Sequence, residues 1–375
     1  MSANPEITPV PEPAHDPALS GLIEQLHSAR AAGRKLNIRG GGSKDFYGEP
    51  AQGEPLSTAA LAGISSYEPT ELVVTARAGT LLCELEATLA ERGQCLPFEP
   101  PRFGAGSTVG GMVAAGLAGP PRAAVGGVRD YVLGATLLNG QGQVLSFGGQ
   151  VMKNVAGYDV SRALAGSMGV LGVICEVSLK VLALPAATAT LRFEMDETRA
   201  LSQLNHWGGQ PLPINASAWW EGMLVLRLSG AQAAVQSAAQ RLGGEVVEPQ
   251  MASQFWQGMR DQSDEFFLGA LNAVERGASL WRLSVPTIAP ALGLSGQQLV
   301  EWGGAQRWLV TTAPAAHIRD AAVRARGHAT LFRAQDKSAG VFTPLSAPLE
   351  RIQRSLKHAF DPDGVFNPGR LYPGM

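Results

Sequence analysis

Cysteine is scarce in this chain. Cys83, Cys95 and Cys175 are the three in 375 residues, odd in number and without the short paired spacings of zinc or iron–sulfur ligands. They are expected as reduced, buried residues, and no disulfide is predicted. Excess charge of one sign is lacking too: 30 Lys and Arg face 32 Asp and Glu, so no basic field exists to hold nucleic acid or an acidic membrane surface. Long apolar runs are missing. The nearest candidate, residues 109–119, is glycine-rich and far shorter than the ~20 residues of a spanning helix. Histidines are few and scattered: His15, His27, His206, His317, His328 and His358 show no HxH or HxxH spacing, and no metal site is expected. Residues 1–16 carry several prolines and no basic region leading into an apolar stretch, so they are read as a disordered tail rather than a secretory signal. A cytoplasmic protein is expected, peripheral at the inner face of a membrane only through partners.

Glycine, by contrast, is abundant and unevenly placed. Residues 39–48 read RGGGSKDFYG, and residues 104–172 hold 17 of the 45 glycines but six charged side chains, Arg122, Arg129, Asp130, Lys153, Asp159 and Arg162. A segment so poor in charge is not a flexible hydrophilic linker. Its backbone is expected to pack closely against something. GAGSTVG (residues 104–110) departs from the GxGxxG dinucleotide fingerprint, because its third glycine is one residue late and the preceding FEPPRF is broken by proline. No GxxxxGK[ST] occurs, which disfavours ATP at residues 40–44. Backbone amides freed of side chains still form anion-binding nests. Two such loops, residues 40–44 and 106–111, suit a grip on one pyrophosphate and point to a large cofactor.

Apolar spacing at Leu19, Leu22, Ile23 and Leu26 predicts a helix over residues 17–30, stopped at Gly33. Strands are predicted at 35–38 and 71–78, and a helix at 81–92 capped by Gly93. A hairpin of residues 131–138 and 143–147 turns on NGQG, where Asn-Gly accepts positive φ. Alternation at Leu171, Val173, Cys175, Val177, Leu179 and Val181 predicts one long half-buried strand. After Pro185 the texture changes. Strands at 187–194, 224–228, 281–285, 307–311 and 329–333, with helices at 197–206 and 231–242, predict a sheet with helices on one face. A last helix at 344–360 shows Leu345, Leu349, Ile352 and Leu356 on one face, and DPDGVFNPGRLY after it is a turn-rich tail expected to rejoin the first domain. The fold class is α+β, divided at 1–16, 17–184, 185–335 and 336–375.

The ordered motifs IRGGGSK, GAGSTVGG, GGVRDYVLGATLLNGQGQVLSFGG, KNVAGYDVSRALAGSMGVLGVICEVSLKV and DPDGVFNPGRLY resemble the vanillyl-alcohol-oxidase and para-cresol-methylhydroxylase type of FAD-binding flavoproteins. Within that group, LWRLSVP, EWGGAQRWLV, GHATLF and FTPLSAPLERIQ are similar to the family of FAD-binding E subunits of bacterial glycolate oxidase. The resemblance implies a two-part FAD-binding domain over 17–184, a mixed α+β cap domain over 185–335, and a C-terminal segment, 336–375, that returns to the first. It implies FAD held by the backbone of Arg39, Gly40, Gly41, Gly42, Ser43 and Lys44 and of Gly106, Ser107, Thr108, Val109, Gly110 and Gly111. Flavin contacts are implied at Gly169, Leu171, Gly172, Val173 and Ile174, with Tyr158 close by. Ser43 stands where covalent relatives carry a flavin-bonded histidine, so noncovalent FAD is expected. Met168 departs from the acidic residue of many relatives. The implied partners are a catalytic D-type flavoprotein subunit, an iron–sulfur F-type subunit and a small 2-hydroxy acid, glycolate or D-lactate, oxidised to the 2-oxo acid. Two alternatives stay open: a noncatalytic flavin subunit that stabilises the complex or relays electrons, and an independent FAD-dependent dehydrogenase of another small substrate.

No catalytic apparatus stands out from the residues alone. Arginine can fix a carboxylate through bidentate hydrogen bonds, and Arg282, Arg307 and Arg333 sit in apolar, strand-like stretches where a charge needs a partner. The plainer reading pairs each with an acid or turns it to solvent. His328, beside a predicted strand, is the histidine held open for catalysis, its plainer role being packing in the cap domain. Arg282, Arg307 and His328 are the candidates carried forward. Trp219, Trp220 and Trp308 are read as core or interface anchors.

Overall fold

The computed structural model describes residues 16–149 and 159–375. Its first helix, Pro17–Ala31, starts where expected because Asp16 accepts hydrogen bonds from the amides of Ala18 and Leu19, and Pro17 has no N–H to satisfy. Leu19, Leu22, Leu26 and Ala29 bury against Leu36, Leu56 and Leu138. Strand Leu36–Arg39 pairs in parallel with Glu54–Ser57 and leads directly into the first glycine loop. Beside it lies a five-stranded antiparallel sheet, in the order Ile64–Glu68, Val73–Arg77, Val173–Lys180, Val132–Leu138, Val144–Gly148. Helix Leu82–Ala90 and the short helix Val109–Ala115 cover one face, sealing Leu85, Phe98, Val113 and Val177 into a common core.

Three local expectations change here. The strand predicted to be half-buried is central to the sheet, and of its eight residues Glu176 and Lys180 are the two partly exposed. A bulge breaks its alternation: Thr136 faces Glu176 while Leu137 faces Ile174, leaving Cys175 as the extra residue. Val173 and Cys175 therefore join the core beneath the first helix, and Val177 and Leu179 join the opposite one. In the hairpin, the positive φ falls on Gly142, not on Asn139 or Gly140. Asn139 instead accepts from the amides of Gln141 and Gln143 through its side chain.

From Ala187 the chain builds an eight-stranded antiparallel sheet. Its order is Glu245–Val246, Ala187–Glu194, Met223–Gly230, Ile214–Trp220, Gln297–Glu301, Gln306–Thr311, Ser279–Ser284, His328–Arg333. Three of these strands escape sequence reading: Glu245–Val246 is two residues long, and small or amide side chains hide the alternation of Ile214–Trp220 and Gln297–Glu301. Helices were expected on one face, yet they cover both. Glu197–Gly208 and Gln232–Leu242 pack on Leu191, Leu224 and Leu226, and Ala315–Arg324 on Trp281 and Leu309. Pro249–Asp261 and Glu265–Glu275 bring Trp256, Phe266 and Phe267 against Ala218, Trp308 and Phe332 on the other side. That second face also meets Tyr47, Ala115 and Met168 of the first half.

In the last helix, Ala347–Phe360, the expected apolar face is divided: Leu349 and Ile352 are exposed, Leu356 packs with Phe360 against the core of the first half, and Lys357 is buried. Past it the chain does return. The Leu36 amide donates to the Val365 carbonyl and the Asn367 amide to the Leu36 carbonyl, both 2.8 Å, so the tail extends the small parallel sheet through Phe366.

Candidate cofactor site

The two glycine loops touch backbone to backbone. A Cβ on Gly41 would collide with the carbonyl of Gly106, and one on Gly40 with the Thr108 hydroxyl. Gly42 adopts φ +74°, a left-handed conformation that glycine reaches without strain. Among the described residues the amides of residues 40–44 donate to no acceptor. Five successive N–H groups turned loose in a glycine cradle form an anion nest, which is the fit a diphosphate requires. The second loop differs. Val109 and Gly110 donate to the carbonyls of Thr80 and Ala78, Ser107 to that of Gly104, and Gly111 to the Thr108 hydroxyl. Those four amides are engaged; among the described residues the amides of Gly106 and Thr108 donate to no acceptor, and beside them the second loop offers side-chain hydroxyl. Lys44 reaches across to it, its Nζ donating to the Ser107 hydroxyl at 2.7 Å. Burial pulls the Lys44 ammonium down to about 8, against the attraction of Asp261.

A cleft of about 90 Å³ opens on this junction, bordered by residues 40–44, Thr108, Gly111, Met168, Asn367 and Arg370. Larger hollows of about 380 and 370 Å³ open on the eight-stranded sheet, but no glycine-loop residue borders either. The small cleft has the donors, and donors decide anion binding.

Residues 168–174 sit beneath the first loop because the C-terminal tail holds them there. Asn367 donates to the Met168 carbonyl at 2.6 Å and accepts from the Ile38 amide at 2.7 Å. It thereby joins the strand before the first loop to the segment at Gly169. A Cβ on Gly169 would press on the Asn367 amide nitrogen, and one on Gly172 would meet the Leu138 carbonyl. Lys357 adds a second tie, donating to the carbonyls of Val170 and Phe366 and to Asp361. Leu171, Val173 and Ile174 are buried in the cores on either side of the sheet, and none of them borders the cleft; Tyr158 lies outside the described residues.

The cap-side candidates separate. Arg282, on strand Ser279–Ser284, donates to the Tyr47 hydroxyl at 3.2 Å, three residues beyond Lys44. His328 sits diagonally across the strand pair from Arg282 and on the same sheet face; partial burial and then the Arg282 charge push its imidazole below the ordinary value. Arg307 is the correction. It is 1% exposed, its guanidinium donating to the carbonyls of Gly304 and Ala289 and lying 3.3 Å from Glu197. With its donors engaged on the face away from the loops, it is a structural strut. Sequence reading did not single out Glu301, although it opens the quoted stretch EWGGAQRWLV. Its carboxylate is fully enclosed and accepts from Trp308 Nε1 at 2.5 Å and Gln306 Nε2 at 2.9 Å. Burial pushes it up to about 7, with those two hydrogen bonds pulling the other way. Asn367 and Arg370 were missed as well, although the NPGR turn in the tail was the available signal.

Against known proteins, the FAD binding domain family matches residues 20–148. The glycolate oxidase subunit GlcE of Escherichia coli is 48% identical over 351 residues, covering 94% of this chain and 96% of that one. D-lactate dehydrogenase of Anaerostipes hadrus is 32% identical over 140 residues, 37% of this chain and 29% of that one. Among solved structures, alkyldihydroxyacetonephosphate synthase superposes with a TM-score of 0.65 over 93% of this chain and 74% of that one, at 14% identity. That last likeness speaks to fold alone. No described helix is long and apolar enough to cross a membrane.

Proposed function

The chain belongs to the family of the glycolate oxidase E subunit, and on that premise we propose that it is the FAD-binding subunit of a complex that oxidises glycolate, or D-lactate, to the 2-oxo acid. Bound FAD supplies the two-electron acceptor. The chain supplies the rest. In this reading residues 17–184 with 336–375 form the cofactor half and residues 185–335 the cap domain. The observation that carries it is the set of unengaged amides at residues 40–44. They take the diphosphate, with Lys44 and the Ser107 hydroxyl closing over it, and Asn367 keeps the flavin-facing segment at Gly169 in register. Arg282, held by Tyr47, orients a substrate carboxylate from the cap side. Ser43 offers no imidazole, so FAD is noncovalent. The partners in this reading are a catalytic D-type flavoprotein and an iron–sulfur F-type subunit, which place the chain in the cytoplasm or at the inner face of the membrane.

One observation favours the second reading, a flavin subunit that stabilises the complex or relays electrons without meeting substrate. Phe46, Tyr47, Phe103, Phe332 and Trp308 pack ring against ring between the first loop and the cap sheet, filling the approach a substrate would use. Acid precipitation of the purified, yellow chain tests the common ground. Flavin in the supernatant is expected, and flavin retained in the pellet refutes noncovalent binding. Anaerobic glycolate then separates the readings: bleaching of the isolated chain supports direct oxidation, whereas bleaching that needs the D-type subunit supports the second.

A further inference from the structure

Arg333 ends the edge strand His328–Arg333. Simple alternation would put it with Ala329 and Leu331, against helix Ala315–Arg324. The structure places it elsewhere. Trp281 faces Leu331 while Leu280 faces Arg333, so two residues of the edge strand answer one step of its neighbour. This bulge swings Arg333 onto the face that meets the first glycine loop, and bulges commonly re-aim a side chain in this way. Its guanidinium carbon lies 3.3 Å from the centroid of the Phe46 ring and 5.7 Å from that of Phe103. Lys44 Nζ is likewise 5.7 Å from the Phe103 centroid. Two cations thus share one aromatic ring.

Among the described residues neither forms an ion pair: the Arg333 side chain makes no hydrogen bond, and Lys44 donates to the hydroxyls of Ser43 and Ser107. Lys337 adds positive charge, its Nζ donating to the carbonyls of Phe46 and Gly48. The nearby carboxylates are engaged: Asp45 with Arg39, Glu49 with the Val341 amide, and Asp261, which attracts Lys44 through space, with Arg260. Burial alone pulls the Arg333 guanidinium down to about 10. Bracing Phe46 needs no ion pair, whereas a half-buried cation with ring faces as its partners gains further from an arriving anion.

We propose that Arg333, with Lys44 across the Phe103 ring, forms an oxyanion site at the junction of the first glycine loop and the cap sheet. Resting on the function proposed above, the site takes either the carboxylate of a small 2-hydroxy acid or a phosphate oxygen of the cofactor. Calorimetric titrations of the full chain with oxalate, a carboxylate that cannot be oxidised as a 2-hydroxy acid, and separately with FAD distinguish the sources. In Arg333→Met one of the two affinities falls by roughly tenfold, the loss of a charge-assisted hydrogen bond, and Arg333→Lys restores most of it. A loss confined to oxalate assigns the carboxylate; a loss confined to FAD assigns the phosphate. Both affinities within about twofold of wild type, in a variant with an unchanged circular dichroism spectrum, overturn the site. Should Arg333→Met fail to fold, Arg333→Gln is read by the same criteria. Oxalate is titrated with and without flavin, so wild-type chain that binds no FAD overturns the proposed function while the oxyanion site keeps its own test.

Discussion

Glu301 shows how a residue that periodicity and spacing do not single out acquires unusual chemistry. On strand Gln297–Glu301 it reads as one more acid at the end of a short polar stretch. The fold encloses it and gives it Trp308 and Gln306 as donors, with no ion pair among the described residues. Because its folded value, about 7, lies above the ordinary 4.5, the folded state keeps a proton that the unfolded chain loses. Stability contributed by the protonated form is present in full below pH 4.5 and falls as pH rises through 7. Glu301→Gln keeps an acceptor for both donors and removes the charge. It should raise stability by about 3 kcal/mol at pH 8, with a gain roughly 2 kcal/mol smaller at pH 5. Equal urea-midpoint shifts at the two pH values would sink this account. Arg307 makes the complementary point. Its apolar setting signalled that a partner must exist, and the Gly304 carbonyl lies three residues away, but Glu197 and the Ala289 carbonyl come from segments no local pattern connects to it.

At the scale of elements, periodicity and caps placed the helices Pro17–Ala31, Leu82–Ala90, Glu197–Gly208, Gln232–Leu242 and Ala347–Phe360 but missed Pro249–Asp261, Glu265–Glu275 and Ala315–Arg324, and further departures are bulges and buried polar ties. Period-two alternation assumes an uninterrupted pleat, so it misassigned Val173 and Cys175 at one bulge, and a second bulge re-aims Arg333. The helix Ala347–Phe360 keeps Leu356 and Phe360 against the core but adds a buried charge that its apolar spacing did not signal. Lys357 is 6% exposed and Asp361 1% exposed, joined at 2.6 Å, with Asp361 also accepting from the amides of Val365 and Phe366. Removing one member leaves the other buried alone. Lys357→Met should therefore destabilise by about 3 to 5 kcal/mol, and adding Asp361→Asn should recover part of that loss. Denaturant melts of the two single variants and the double variant check it; strictly additive losses would show that the pair acts as two independent residues.

Across the whole molecule, the cofactor cradle is assembled from three distant parts of the chain. The strand before residue 40, the segment at Gly169 and the tail meet at Asn367, whose amide group serves both Ile38 and Met168. Met168 holds φ +52° there, a conformation sparsely populated outside glycine. Asn367→Ala leaves a buried amide and a buried carbonyl without partners, so FAD affinity should fall by roughly tenfold while the eight-stranded sheet persists. Fluorescence titration of FAD and far-ultraviolet circular dichroism report the two parts, and an unchanged affinity would separate the tail from cofactor binding.

The sequence by itself determined the α+β class, the glycine cradle, its serine in place of a histidine, and the order of motifs that marks the family. These are properties of local composition and spacing, which a single chain segment carries whole. Tertiary structure alone decided which amides stay free, which arginine is a strut and which faces the loop, and that a lysine joins Leu356 in reaching the core from the last helix. Each of those outcomes depends on what stands opposite a residue, and that partner is supplied by chain far away in sequence.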